Sequence, residues 1–233
     1  MLGRFLEIGI HAPDSRASWE QYRRLGFEPA VSGDVWPYDY GVVTCKGLSL
    51  GLHARPTEGP ELYFVRPNVA ELHRELQARG LQVATAQLGA DVFNQLSLRE
   101  PTGVALRVLE ARSFSPPPVT PARTLLGQFH CVSLPATDLE RAGTFWRGLG
   151  ATLTDTQQPW PGFSLGDQLP LGYHARRDFP EAVLCFTHTD LAEAQLELAD
   201  AGLLPEKGIA TLAGLDHLLL RSPEGQALLI LVC

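Results

Sequence analysis

Leu50-Gly51-Leu52-His53-Ala54-Arg55 returns later in the chain as Leu171-Gly172-Tyr173-His174-Ala175-Arg176. Trp36-Pro37 precedes the first copy and Trp160-Pro161 the second. Leu98-Arg99-Glu100-Pro101-Thr102-Gly103 follows the first, and Leu220-Arg221-Ser222-Pro223-Glu224-Gly225 the second. Three matched segments in one order divide the chain into two tandem halves.

Each half contains two shorter units with one pattern: an apolar strand, a helix cap, an amphipathic helix, a glycine, and further strands. The leading strands are predicted at 5–12, 61–65, 129–134 and 183–186, with caps at Asp14, Asn68, Asp138 and Asp190. Asp and Asn accept hydrogen bonds from the first free helix amides. Asn68 with Glu71 and Asp190 with Glu193 have capping-box spacing. The helices run to Leu25, Arg79, Trp146 and Ala201, and the glycines after them (Gly26, Gly80, Gly148 or Gly150, Gly202) tolerate the left-handed conformation that ends a helix. Val69, Leu72 and Leu76 recur at helical spacing, as do Leu191, Ala194 and Leu198, and these stripes read as core contacts. Short strand-like runs follow each helix, including 40–44, 48–53, 96–99 and 104–109. One helix followed by several strands is an α+β pattern of βαβββ modules. The halves are expected at 1–113 and 128–233, joined by a Pro-rich linker at 114–127 that carries Ser115-Pro116-Pro117-Pro118.

The totals exclude several function classes. The 233 residues carry a net charge of −7, which offers no basic footprint for nucleic acid and no attraction to an anionic membrane. No apolar run reaches the roughly 18 residues a membrane helix needs, and Met1 to Ala12 lacks the form of a signal peptide, so the expected location is the cytoplasm. Cys45, Cys131, Cys185 and Cys233 make no CxxC pair and are expected to be reduced thiols. Phosphate-binding glycine loops, Gly-x-Ser-x-Gly and HExxH motifs are missing from the sequence.

Three stretches carry a family resemblance. One is a strand leading to a cap and a helix with a late aromatic, Glu7 to Tyr22 and again Cys131 to Trp146. Another is Tyr63-Phe64-Val65-Arg66-Pro67-Asn68-Val69 with Glu75-Leu76-Gln77-Ala78-Arg79-Gly80-Leu81. The last is the Arg-x-Pro-x-Gly turn near the end of each half. Across nearly the whole chain the order resembles the vicinal oxygen chelate superfamily, which includes glyoxalases, bleomycin-resistance proteins and extradiol dioxygenases. The resemblance implies four βαβββ modules paired into two tandem cup-shaped mixed-sheet domains. It also implies metal ligands at four strand positions per cup. In the first half these positions read Glu7, Gly51, Glu61 and Arg107; in the second, Cys131, Gly172, Val183 and Leu229, with His130 replacing Cys131 if the alignment slips by one. A divalent ion needs about three N or O donors, and an arginine in their midst repels it. No metal or other cofactor is therefore expected; the alternative is Fe, Mn, Ni or Zn held by Glu7 and Glu61.

The candidate ligand-binding residues are Glu7, His11, Trp36, Tyr40, His53, Glu61, Tyr63 and Arg107, with Glu7 and Glu61 as the catalytic candidates. Arg107 either holds an anionic or carbonyl-bearing ligand while a glutamate acts as base, or it neutralises the carboxylates in place of an ion. His53 and His174 either line a pocket or close their strands on backbone. Trp36, Tyr38 and Tyr40 either cover a ligand or pack between the halves. His73 and His188 read as surface residues. The resulting expectation is a metal-free small-molecule binding protein of the bleomycin-resistance kind, monomer or homodimer, with its pocket in the first half. A metal-dependent glyoxalase-type lyase/isomerase or extradiol-type dioxygenase is the alternative.

Overall fold

In the computed structural model the described residues are 1–30, 40–57, 59–111, 123–136, 138–154, 160–164, 169–212 and 214–232. They form four modules in chain order. The first is β1 (Arg4–His11), α1 (Ser15–Arg24), β2 (Glu28–Pro29), β3 (Tyr40–Cys45) and β4 (Leu48–His53). The second is β5 (Glu61–Arg66), α2 (Val69–Ala78), β6 (Val83–Gln87), β7 (Gln95–Arg99) and β8 (Ala105–Glu110). The third is β9 (Gln128–Ala136), α3 (Leu139–Gly148), β10 (Thr152–Thr154), β11 (Gly162–Ser164) and β12 (Pro170–Ala175). The fourth is β13 (Val183–His188), α4 (Leu191–Asp200), β14 (Ala210–Leu212), β15 (Leu215–Arg221) and β16 (Ala227–Val232).

The modules pair into two eight-stranded mixed sheets, β2-β3-β4-β1-β5-β8-β7-β6 and β10-β11-β12-β9-β13-β16-β15-β14. In each, two modules join through their first strands, β1 antiparallel to β5 and β9 antiparallel to β13. The α+β architecture is the one the repeats predict.

Alternation along the strands creates two unlike faces. Ile8, Leu50, Leu62 and Leu106 are fully buried on the helix side, each contributing about 2 kcal/mol relative to an exposed position. One continuous core runs through both halves. Phe27 and Phe186, from different halves, meet edge to face with centroids 6.2 Å apart.

Polar contacts cross the same seam in a pseudo-symmetric way. Ser18 donates to Glu224 Oε2 at 2.6 Å and Tyr22 to Oε1 at 2.9 Å, tying α1 to the β15–β16 turn. Tyr173 donates to Glu100 Oε1 at 2.9 Å, tying β12 to the β7–β8 turn, and Trp146 Nε1 donates to the Tyr173 hydroxyl. The proposed linker reaches into this packing at its end. Leu126 is fully buried, and Leu125 donates its amide to Leu25 O at 2.9 Å. Residues 112–122 lie outside the described residues.

Two local readings need correction. Asn68 does not cap α2 with its side chain, because it adopts a left-handed conformation with φ 58°. Glu110 at the end of β8 accepts from Val69 N at 3.0 Å instead, a partner distant in sequence. His188 is buried rather than on the surface: its Nδ1 accepts from Asp190 N at 3.0 Å, just before α4. Asp14, Asp138 and Asp190 do cap their helices. Gly26, Gly80, Gly150 and Gly202 all have positive φ where the helices stop.

Candidate functional site

Strand register lines up a row of side chains on the face turned away from the helices. Glu7 of β1 is opposite Tyr63 of β5, Tyr63 is opposite Arg107 of β8, Arg107 is opposite Ser97 of β7, and Ser97 is opposite Thr85 of β6. Beside that row, Gly9 is opposite Glu61 and next to Gly51. Five strands thus bring two carboxylates, a guanidinium, a phenol and two hydroxyls to one surface.

The carboxylates belong to two adjoining networks. Glu7 is 3% exposed; Tyr40 donates to its Oε2 at 2.6 Å, and His53 Nε2 lies 3.2 Å from its Oε1. Gly51 is what makes room: a Cβ there would stand 2.3 Å from Glu7 Oε1. Glu61 is 5% exposed and is held by a fork, Arg107 Nε to Oε2 at 2.6 Å and Nη2 to Oε1 at 2.8 Å. Tyr63 adds a hydrogen bond to Oε2 at 2.6 Å, and Arg55 donates to the Tyr63 oxygen at 2.9 Å. The networks meet over Gly9, where the His53 and Tyr63 rings stack with centroids 5.5 Å apart. A Cβ on Gly9 would lie 2.5 Å from the Tyr63 ring.

The environment sets the protonation states. Burial pushes the Glu61 carboxyl up, but the hydrogen bonds from Arg107 and Tyr63 and the nearby guanidinium charges outweigh it and hold the group below its usual range. The Arg107 guanidinium is raised, mainly by its hydrogen bonds to Glu61. Burial, then the hydrogen bond to Glu61, pushes the Tyr63 phenol up to about 12. The Tyr40 phenol is raised well above its ordinary value by burial and by Glu7. Glu61 is thus an anion at neutral pH, and both phenols are hydrogen-bond donors.

The other candidates fall around these networks. His11 is in register with His53 at the half-buried end of β1, outside the hydrogen-bonded set. Trp36 and Tyr38 lie outside the described residues. Arg107 pairs with Glu61 and not with Glu7, which tyrosine and histidine satisfy instead. Arg55, Gly9, Ser97 and Thr85 were not singled out by sequence. Arg55 sits in the repeated hexapeptide, and that repetition was the available signal.

The second half presents the same register with other chemistry. Cys131, Cys185, Leu229 and Leu219 occupy the places of Glu7, Tyr63, Arg107 and Ser97. Cys131 lies in an apolar cluster with Phe179, Val183, Cys185 and Leu229, so it, and not His130, is the residue on this face. Cys45, Cys131 and Cys185 are free and buried, and Cys233 lies outside the described residues. His174 is bonded to Ser133 Oγ at 2.9 Å and Phe179 O at 3.1 Å, and burial lowers its pKa.

These donor sets do not fit the ion that the fold implies. Both Glu61 oxygens already accept from a guanidinium, whose charge would oppose a cation. The space over Gly51 is filled by Glu7. The second half offers two buried cysteines, of which the Cys185 thiol is raised by burial, and aliphatic side chains. Among the described residues, no three of His, Cys, Asp and Glu come together.

The fold has clear counterparts among solved structures. A catechol 2,3-dioxygenase superposes with a TM-score of 0.60 at 15% identity, over 99% of this chain and 87% of that one. The Mn(II)-bound glyoxalase from Novosphingobium aromaticivorans gives 0.61 at 12% identity, over 98% and 81%. The 2,3-dioxygenase LapB from Pseudomonas sp. KL28 gives 0.63 at 12%, over 99% and 92%. This chain has the two-domain fold of these dioxygenase and glyoxalase structures. No family model matches the sequence, and no curated protein matches it. At such identities the likeness concerns the fold. Among the described residues no helix is long and apolar enough to cross a membrane.

Proposed function

We propose that this chain is a small-molecule binding protein of the glyoxalase/bleomycin-resistance type that works without the family's metal centre. Its pocket is in the first half, and Glu61 and Arg107 form its polar wall, with Tyr63 buried behind them and holding Glu61. The observation that carries this reading is the fork of Arg107 on Glu61, which places a fixed cation where a metal ligand would be needed. A cavity of about 630 Å³ opens onto that pair, a size suited to a drug-sized molecule. The Arg107 side chain is 35% exposed, and a guanidinium has five N–H donors, so donors remain for a ligand carbonyl or acid. The binder acts in the cytoplasm as a monomer or homodimer.

The test combines two measurements on protein purified without chelator. Elemental analysis should find no stoichiometric iron, manganese, nickel or zinc. A small-molecule panel read by thermal shift should yield ligands that stabilise the wild type and not Arg107→Gln. One metal ion per chain would overturn the reading.

The buried Glu7–His53 contact favours a second reading, an enzyme of glyoxalase or extradiol type in which that pair moves a proton. Turnover of the hemithioacetal of an α-ketoaldehyde, or of a catechol, abolished by Glu7→Gln, would establish it.

A further inference from the structure

The cavity beside Glu61 and Arg107 is not confined to the first half. Its walls also include Pro135, Arg176 and Glu181 from the second half. The loops after β4 and after β12 occupy equivalent places in the two repeats, and both face this space.

The charges on its lining are unbalanced. Arg99, Arg107 and Arg176 face two carboxylates, Glu61 and Glu181. Both carboxylates are already committed. Arg107 holds Glu61, while Glu181 Oε1 lies 2.6 Å from Arg221 Nη1, which is not part of the lining. Arg99 donates to Gly103 O at 2.8 Å. Among the described residues Arg176 has no acidic partner. The chain as a whole carries −7, so a surplus of guanidinium here runs against the overall charge. Two hydroxyls on the lining, Thr85 and Ser97, are 2.6 Å apart and add neutral donors next to Arg107.

Arg55 and Arg176 close the two copies of the repeated hexapeptide. Arg55 is absorbed into the Tyr63–Glu61 network, whereas Arg176 is presented to the cavity from across the seam. Planar guanidinium forks match the paired oxygens of carboxylates and phosphates.

We propose that the cavity at the seam takes a small dianion, a dicarboxylate or a phosphate-bearing molecule, held between Arg107 of the first half and Arg176 of the second. The inference rests on the reading of Glu61 and Arg107 as a binding wall and adds the ligand's charge class. It also gives the second half a direct role, since the site lacks one of its cationic groups without it.

Calorimetric titration of the full chain at slightly alkaline pH tests this, with malonate and methyl phosphate as dianionic probes and malonamide as the uncharged counterpart, all at one ionic strength because exposed charges are screened by salt. The wild type should bind at least one dianion with a dissociation constant below about 1 mM and should ignore malonamide. Arg176 is exposed, so Arg176→Gln should keep the wild-type melting curve and weaken binding about tenfold. The stronger of the two probes then separates a phosphate site from a dicarboxylate site. Dianions that fail to bind, or that bind Arg176→Gln as tightly as wild type, would overturn the proposal. A neutral ligand lost in Arg107→Gln and kept in Arg176→Gln would do so too, while leaving the binding wall of the first half standing.

Discussion

Tyr173 in β12 donates its hydroxyl hydrogen to Glu100 Oε1 at 2.9 Å across the seam between the halves. Tyr22 makes the same contact to Glu224 Oε1 in the opposite direction. The two carboxylates come from different positions of equivalent Arg-x-Pro-x-Gly turns and the phenols from a helix and a strand, so a phenol–carboxylate contact recurs across the seam on non-equivalent residues. Glu100 is also held by the Thr102 amide at 2.6 Å and by the Thr102 hydroxyl.

Removing that carboxylate should loosen the seam. Glu100→Ala strips a buried acceptor from Tyr173 and from the turn itself, with an expected loss of about 2–3 kcal/mol. Glu100→Gln keeps one acceptor and should lose about half as much. Urea unfolding monitored by tryptophan fluorescence reads both, and equal stability of Glu100→Ala and wild type would reject the lock.

Gly51 and Glu7 should be energetically coupled. A methyl group at residue 51 collides with the Glu7 carboxylate, so Gly51→Ala should destabilise by about 1–3 kcal/mol. With Glu7→Ala the space is open, and the double variant should be more stable than the sum of the single changes by about 1 kcal/mol. A double-mutant cycle with no interaction energy would mean that the Glu7 side chain does not lie over Gly51.

The Glu61–Arg107 fork predicts an acid limb in stability. The folded pKa of Glu61 lies below its unfolded value of about 4.3, so its contribution is complete above that pH and lost as pH falls through the folded value. Arg107→Met should lower stability at pH 7 by about 3 kcal/mol, because a buried carboxylate loses its partner. It should also flatten the fall in the urea midpoint between about pH 5 and 3. A variant with an undiminished acid limb would show that other carboxylates control it.

The fold was legible because its evidence is repeated and local. Glycine stops and strand alternation occur four times, aspartate caps three times, and three matched segments fix the pairing of the modules. The face carrying Glu7, Glu61 and Arg107 was marked by the family resemblance, and alternation along the strands said only which neighbours share it. The partners were not: Tyr40 reaches Glu7 and Arg55 reaches Tyr63 through side-chain directions that no spacing encodes. Glu110 replaced Asn68 as the cap of α2 for the same reason, since a strand end far along the chain supplies the acceptor. The contribution of Arg176 to a cavity in the other half depends on how two sheets pack, which strand patterns leave open.

Alkaline titration should resolve the buried phenols. Tyr22, Tyr40, Tyr63 and Tyr173 are all raised, chiefly by burial, with Tyr63 at about 12. Of the five tyrosines, Tyr38 lies outside the described residues. At about pH 11 the native absorbance should report no more than one phenolate, and guanidinium should release the rest near their ordinary pKa of about 10. A phenol raised by folding stabilises the native state fully below its unfolded pKa and progressively less as pH rises past it, so stability should fall above about pH 10. Two or more native phenolates at that pH would place the Glu7 or Glu61 network in solvent.

The second half allows the register argument to be run in reverse. Val183 and Leu229 occupy the places of Glu61 and Arg107, within an apolar cluster. Leu229→Arg alone buries an unpaired cation and should cost about 3–5 kcal/mol or abolish folding. Val183→Glu alone buries an unpaired carboxylate with a similar penalty. Together they should recreate the fork, because Val183 pairs with Ala227 and Cys185 with Leu229 just as Glu61 pairs with Ala105 and Tyr63 with Arg107. Recovery should be partial, since Cys185 at the place of Tyr63 has no phenol to satisfy the remaining oxygen, and each ion still loses its hydration. A double variant at least 1–2 kcal/mol more stable than the better single variant, in urea unfolding at pH 7, is the expected sign of that pair. If the two changes simply add, the cup-facing rows of the two halves are not equivalent, and the register match between β13–β16 and β5–β8 does not place their side chains alike.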